Sequence, residues 1–285
     1  MPSAYRIFIL LLALLGSCGK KPLEVRVLSF NLRYITSEDQ GPRTWTARRD
    51  AAAATIVADH PDFIGVQEAF RSMLDNLHER VPGFTEIGVG REDGKTKGEY
   101  AAILYRTDRW EPLESGTFWL SDTPDVPGSA TWGNSVTRIC TWARFRHRES
   151  KREVACFNAH FDHQSQPARE RAAAQILERI RALPGNPPAI MTGDLNATPE
   201  NPAIVRLTTG EGALTDTWAA LHPGASPDTA GTYHGFDGKT GGPRIDYILT
   251  TKSISIREAD ILHPAGPDGH PPSDHFPVRA TLELP

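Results

Sequence analysis

A set of polar residues stands at the ends of apolar runs in this sequence, and their types point to a chemistry before any fold is assigned. Asn31 follows SF, Glu68 follows GVQ, His160 follows FNA, and Asp194 and Asn196 lie within GDLN. Asp246 interrupts RIDYI, and Asp274 and His275 sit between prolines in PPSDHFPV. One Asp after a strand is commonly a turn former or helix cap. A buried carboxylate is costly unless it is paired or holds a metal, so many such residues at strand ends imply one polar pocket on one edge of the sheets. Hard oxygen ligands with no thiolate in reach point to magnesium or manganese rather than zinc. An imidazole oriented by a carboxylate can take a proton from water near neutral pH. A cation on phosphoryl oxygens, a base for water and donors for developing charge are the parts that phosphoester hydrolysis requires.

The elements that must position these residues follow from periodicity. LEVRVLSFNLRY alternates apolar and polar residues and reads as the first strand, and DFIGVQEA as a short buried one. TARRDAAAATIVADH has helical composition and stops at His60-Pro61. RSMLDNLHERV is a second helix, with Met73, Leu74 and Leu77 at helical spacing. FTEIGVG, YAAILYR, WEPLESGTFWL, VTRICTWARF and EVACFNAHF are five strand candidates without a long helix between them, which implies a mostly antiparallel sheet. PARERAAAQILERIRAL is an amphipathic helix with Ala173, Ile176, Leu177 and Ile180 on one stripe. PAIMTGDLNA, PRIDYILTT and ISIREADIL are later strands. No Gly/Ser-rich linker divides the chain, so one domain is expected over residues 23–285.

The leader differs from the body. One early charge, Arg6, precedes an apolar run from Ile7 to Leu15, and Leu15-Gly16-Ser17-Cys18 follows the pattern of a lipobox. Residues 1–18 therefore read as a signal peptide, with Cys18 as the acylated anchor of a protein exported to a bacterial periplasm or cell surface. Cys140 and Cys156 fall on adjacent strand candidates, and either a disulfide or two buried thiols fits an exported chain. The net charge is -4, and the 31 basic residues less Arg6 face 35 acidic ones. That balance argues against a basic face for long nucleic acid and leaves room for a small phosphorylated substrate.

The ordered set SFNLR, GVQE, FNAH, GDLN, RIDYI and SDHFP resembles the endonuclease/exonuclease/phosphatase superfamily over nearly all of the chain after the leader. The resemblance implies a four-layered α-β-β-α sandwich of two mixed sheets with the site at one edge. It implies Asn31, Glu68 and Asp274 as holders of a Mg2+ or Mn2+ ion. It places Asp194 and Asn196 over the phosphate, with Asn196 donating to a phosphoryl oxygen. His275, oriented by Asp246, would act on the attacking water, and His160 would donate to the phosphate. Glu99 in GEYAAILYR matches a carboxylate that pairs with the first histidine, and Arg138 in VTRICTW a phosphate-contacting arginine. GTFWLSDTPDVPGSATWGN departs from the nucleases of the superfamily, and long unstructured loops are usually functional. With HFDHQS and GTYHGF it nominates Trp119, His163 and His234 as rim residues. The expected activity is a metal-dependent phosphoesterase, a monomer acting on a small or lipid-linked substrate. The alternatives are a secreted nuclease acting on nucleic acid and a surface binding module that has kept only the fold.

Overall fold

The computed structural model describes residues 22–285, so Cys18 and the leader lie outside the described residues. Strand β1 (Leu23–Asn31) leads into helix α1 (Trp45–Asp59), strand β2 (Phe63–Ala69) and helix α2 (Arg71–Arg80). Strands β3 (Phe84–Ile87), β4 (Tyr100–Arg106), β5 (Trp110–Trp119), β6 (Ile139–His147) and β7 (Glu153–His160) follow, then helix α3 (Gln166–Arg181) and strand β8 (Ala189–Asp194). Helix α4 (Pro202–Thr208), the two-residue β9 (Thr215–Asp216) and helix α5 (Thr217–Leu221) precede β10 (Asp246–Thr250), β11 (Ser255–Ile261) and β12 (Val278–Leu284). α4, β9 and α5 escape periodicity because they are too short to show one. Their signals are local: Asn201 and Asp216 cap the two helices by accepting from the N–H of Ala203 and Ala219.

The strands form two six-stranded sheets, ordered β11-β12-β1-β2-β4-β3 and β5-β6-β7-β8-β10-β9. Among the described residues only β1–β2 and β7–β8 pair in parallel, which matches the mostly antiparallel expectation. Three apolar layers hold the sandwich together. Phe63, Trp110, Phe145, Ile190 and Leu282 pack between the sheets. Ile56, Met73, Leu74 and Leu77 cover the first sheet from α1 and α2. Ala173, Ile176, Leu177 and Ile180 of α3 cover the second. This is the four-layered α-β-β-α sandwich, and burying each large side chain contributes about 1.5–3 kcal/mol.

Beneath the future site the intersheet core turns polar. Gln67 donates to Asn158 Oδ1 at 2.7 Å, and Asn158 donates to the carbonyls of Val66 and Ala102, both at 2.9 Å. Gly65 permits the close approach: a Cβ there would lie 2.0 Å from Thr192 Oγ1. Asn158, in the FNAH motif, is thus a tie between the sheets.

Cys140 and Cys156 are free and buried. Cys140 pairs with Ala159 and Cys156 with Ala143, an offset of three residues along the hairpin. An odd offset puts the thiols on opposite faces of the sheet. Cys140 lies under α3 and Cys156 between the sheets, so no bond can join them.

Topology explains why the motifs converge. β1 and β2 run in parallel with Asn31 opposite Gln67, and β7 and β8 run in parallel with His160 opposite Asp194. All four therefore deliver their C-terminal residues to one edge. β10 and β12 run antiparallel to β8 and β1, so their N-terminal ends reach that same edge, with Asp246 opposite Asp194 and Val278 opposite Ser29.

Candidate active site

A cleft of about 830 Å3 opens at this edge, lined among others by Glu68, Asp194, Asn196, Asp274 and His275. Glu68 reaches it from a strained backbone. Its φ is +61°, at a register shift between Val66 and Ala69 where β2 bulges against β4. Bulges beside functional sites re-aim one side chain. Here the strain turns the Glu68 carboxylate to accept from the Tyr34 N–H at 2.9 Å and from Asn31 Nδ2 at 3.1 Å.

Asp194 is the hub. It is 1% exposed, and its Oδ2 receives Asn31 Nδ2 at 2.9 Å with His160 Nε2 at 3.5 Å and His275 Nε2 at 3.8 Å. Burial, with the nearby Asp246 charge next, pushes its carboxyl up to about 7. His275 Nδ1 lies 2.8 Å from Asp246 Oδ2. Burial disfavours charge on this ring, yet Asp246, Asp194 and Asp274 together raise its pKa well above the ordinary histidine value. Asp246 thus holds the ring through Nδ1 and leaves Nε2 on the side of Asp194.

Carboxylates gather on the floor of the cleft. Glu68, Asp194 and Asp274 line it with Asp246 paired beside Asp194, while Arg33, Arg91 and Arg138 stand on its wall. Two like charges 4 Å apart repel by about 4 kcal/mol at an effective dielectric of 20, so acids gathered this closely favour a cation among them. Glu68, His160 and Asp194 each bring a ligand atom within 4.8 Å of the others, as do Asp194, Asp246 and His275. Of these donors, the Glu68 and Asp194 carboxylate oxygens fit a divalent ion, His275 being held by Asp246. Asp194→Asn should therefore stabilise the metal-free protein while abolishing activity. The folded pKa of Asp194 lies above its unfolded value of 3.8, so stability is lost as pH rises from about 4 through 7. Thermal melts in chelator should show the variant's advantage at pH 8 and little of it at pH 4.

Several sequence expectations are corrected by placement. Asn31 is fully buried, its Nδ2 facing the two acids and its Oδ1 accepting from the Arg33 N–H at 2.9 Å. As placed it ties Glu68 to Asp194, and its oxygen is turned away from ligation. Asn196 Nδ2 is engaged with His160 Nε2 at 3.0 Å and the Phe161 carbonyl at 3.1 Å, so both hydrogens of the proposed phosphate donor are in use. His160 accordingly holds Asn196. Its Nδ1 is 4.0 Å from Glu99, whose closer partner is Arg91 Nη1 at 2.7 Å. Trp119 is not a rim residue: it is 4% exposed, packed with Ala101 and Ile139, and its indole donates to the Arg91 carbonyl at 2.7 Å. His234 is also buried, its ring centroid 4.0 Å from that of Phe276. The bridge between Tyr233 and His275 puts Tyr233 on the cleft and turns His234 behind it. Arg138 and His163 do line the cleft.

Sequence reasoning missed Arg33, Tyr34, Arg91 and Tyr233, all of which line the cleft. It also missed Arg48, buried on α1, which donates to the carbonyls of Leu32, Arg33 and Pro272 and so clamps the loops carrying Arg33 and Asp274. The one available signal was Glu99, whose charge required a cationic partner somewhere near the start of β4.

The profile of the Endonuclease/Exonuclease/phosphatase family matches residues 28–275. The chain belongs to that family. Two solved structures of endonuclease/exonuclease/phosphatase family proteins, from Bacteroides thetaiotaomicron and Bacteroides vulgatus, are 33% and 34% identical and share a TM-score of 0.84. The matches cover 93% and 92% of this chain and 99% and 100% of theirs. A mannosyl-6-phosphatase from Bacteroides thetaiotaomicron is 34% identical, with a TM-score of 0.82 over 90% of this chain and 99% of its own. The human Nocturnin catalytic domain shares the fold at 18% identity, covering 91% of this chain and 94% of its own with a TM-score of 0.71. No curated protein sequence matches. By class, then, the chain is a hydrolase of the phosphoesterase kind, in a family whose enzymes use divalent metals.

Proposed function

We propose that this protein is a Mg2+- or Mn2+-dependent phosphoester hydrolase of a small phosphorylated substrate. The observation that carries the reading is the meeting of Asn31 and Glu68 with the buried Asp194, beside a His275 ring held by Asp246. Glu68 and Asp194 would hold the ion, with Asp274 alongside, and a bound divalent cation would polarise the phosphoryl oxygens. His275, fixed through Nδ1 by Asp246, presents Nε2 to the cleft, where it would steer the attacking water and meet developing charge. The arginines on the cleft wall, Arg33, Arg91 and Arg138, would draw in the anion.

A phosphomonoester of a sugar is the substrate class we favour, because the similar mannosyl-6-phosphatase spans nearly the whole domain. The leader, with its lipobox-like end at Cys18, fits an enzyme lipid-anchored at a periplasmic or cell surface. The test is a rate comparison among mannose 6-phosphate, p-nitrophenyl phosphate, bis(p-nitrophenyl) phosphate and single-stranded DNA, each with Mn2+ and with chelator. Monoester turnover well above diester turnover supports the reading. Preferred cleavage of DNA would establish the nuclease alternative, and metal binding without turnover of any of the four would favour a binding module.

A further inference from the structure

The cleft contains one hydrogen-bond donor whose tautomer is dictated by its neighbours. His163 Nδ1 lies 3.0 Å from Arg138 Nη2. Arginine can only donate, so Nδ1 is the acceptor and the proton of a neutral ring sits on Nε2. Burial and then the Arg138 charge lower the pKa of this histidine, which keeps the ring neutral in the same state.

The position is as well defined as the tautomer. Asp162 Oδ1 accepts from the N–H of Gln164 at 3.0 Å and of Ser165 at 2.6 Å, and Arg169 Nη1 donates to the Asp162 carbonyl at 2.8 Å. The turn that follows β7 is therefore pinned on both sides of His163. Arg138 is 5% exposed, its Nε 3.7 Å from Asp162 Oδ2 in an ion pair without a hydrogen bond. His163 stands exposed on the cleft wall at the end of this chain. The other donor nominated nearby, the Asn196 amide, is already engaged by His160 and the Phe161 carbonyl.

We propose that His163 is a specificity-determining residue that donates Nε2–H to an oxygen of the substrate, and that Arg138 is a positioning residue that acts by fixing this tautomer. The proposal rests on the phosphoesterase reading and adds this role for Arg138 to the expectation that it meets the phosphate. Neutral N–H suits an oxygen lone pair of either a phosphoryl group or a sugar hydroxyl. The two sources separate by substrate, since p-nitrophenyl phosphate has the first and lacks the second.

Two near-isosteric variants decide the question, because Gln reaches where Nε2 stands and Asn reaches where Nδ1 stands. His163→Gln keeps a donor toward the cleft and should stay within about threefold of wild type in kcat/KM, whereas His163→Asn keeps the partner of Arg138, loses the donor and should fall about tenfold or more, mainly in KM. An equal deficit on p-nitrophenyl phosphate and mannose 6-phosphate places the contact on phosphoryl oxygen; a deficit confined to the sugar ester places it on a hydroxyl. Arg138→Met should add a dependence of KM on pH in the ordinary histidine range, as the released ring begins to protonate. The reverse order, Asn tolerated and Gln damaging, would overturn the proposal and leave His163 as a mere partner for Arg138. So would unchanged kinetics in both variants. Wild-type protein that turned over none of these esters with Mn2+ would instead count against the phosphoesterase reading itself. Thermal melts of each variant separate loss of the contact from loss of the fold.

Discussion

Glu68→Gln is expected to lower kcat/KM by about a hundredfold or more, with the loss partly recovered at high Mn2+. The expectation follows from the carboxylate's position on a strained bulge, with its oxygens held by Asn31 and Tyr34. Gln preserves the shape and removes the charge, so the backbone strain stays and the attraction for a cation falls. Calorimetric Mn2+ titration should show the affinity falling alongside the rate. Unchanged metal affinity with lost activity would mean that Glu68 acts on water or substrate rather than on the ion.

The second large effect is expected at the Asp246–His275 pair. His275→Ala should lower kcat by about 10²–10⁴-fold while leaving Mn2+ affinity near that of wild type. The ring sits 5% exposed between Asp246 and Asp194, so its removal deletes the group that the two acids orient. Asp246→Asn tests the same unit more gently: the ring stays, the charge that raises its pKa goes, and the pH profile of kcat should move toward lower pH. An unmoved profile with an intact rate would remove the dyad from the reaction.

The sequence made the site legible wherever a motif closes a strand. Asn31, Glu68, His160, Asp194, Asp246 and His275 meet at one edge because two parallel pairs and their antiparallel neighbours align those ends. Strand order and pairing were not readable, since they depend on contacts far apart in the chain. The functional assignments failed where the side chain's direction mattered. Trp119 and His234 both lie in segments that approach the cleft, but Trp119 is buried with Phe118 and Leu120 on either side and tied to the Arg91 carbonyl, and His234 is turned behind the outward-facing Tyr233. Asn31 and Asn196 are in the expected places, but their amides are oriented by the Arg33 N–H and the Phe161 carbonyl, backbone groups that no motif records. Arg91 and Arg33 were invisible because each lies in a loop, where no periodicity separates a cleft residue from a solvated one.

The most direct test of the account uses p-nitrophenyl phosphate and protein stripped of metal by chelator. Rates would be followed as Mg2+ or Mn2+ is added back to wild type and to Glu68→Gln. The account predicts no turnover in the stripped protein, saturable recovery with added ion, and recovery in the variant only at much higher ion concentration. Turnover that persists in chelator, or an identical ion dependence in the two proteins, would contradict a metal-dependent reaction centred on Glu68.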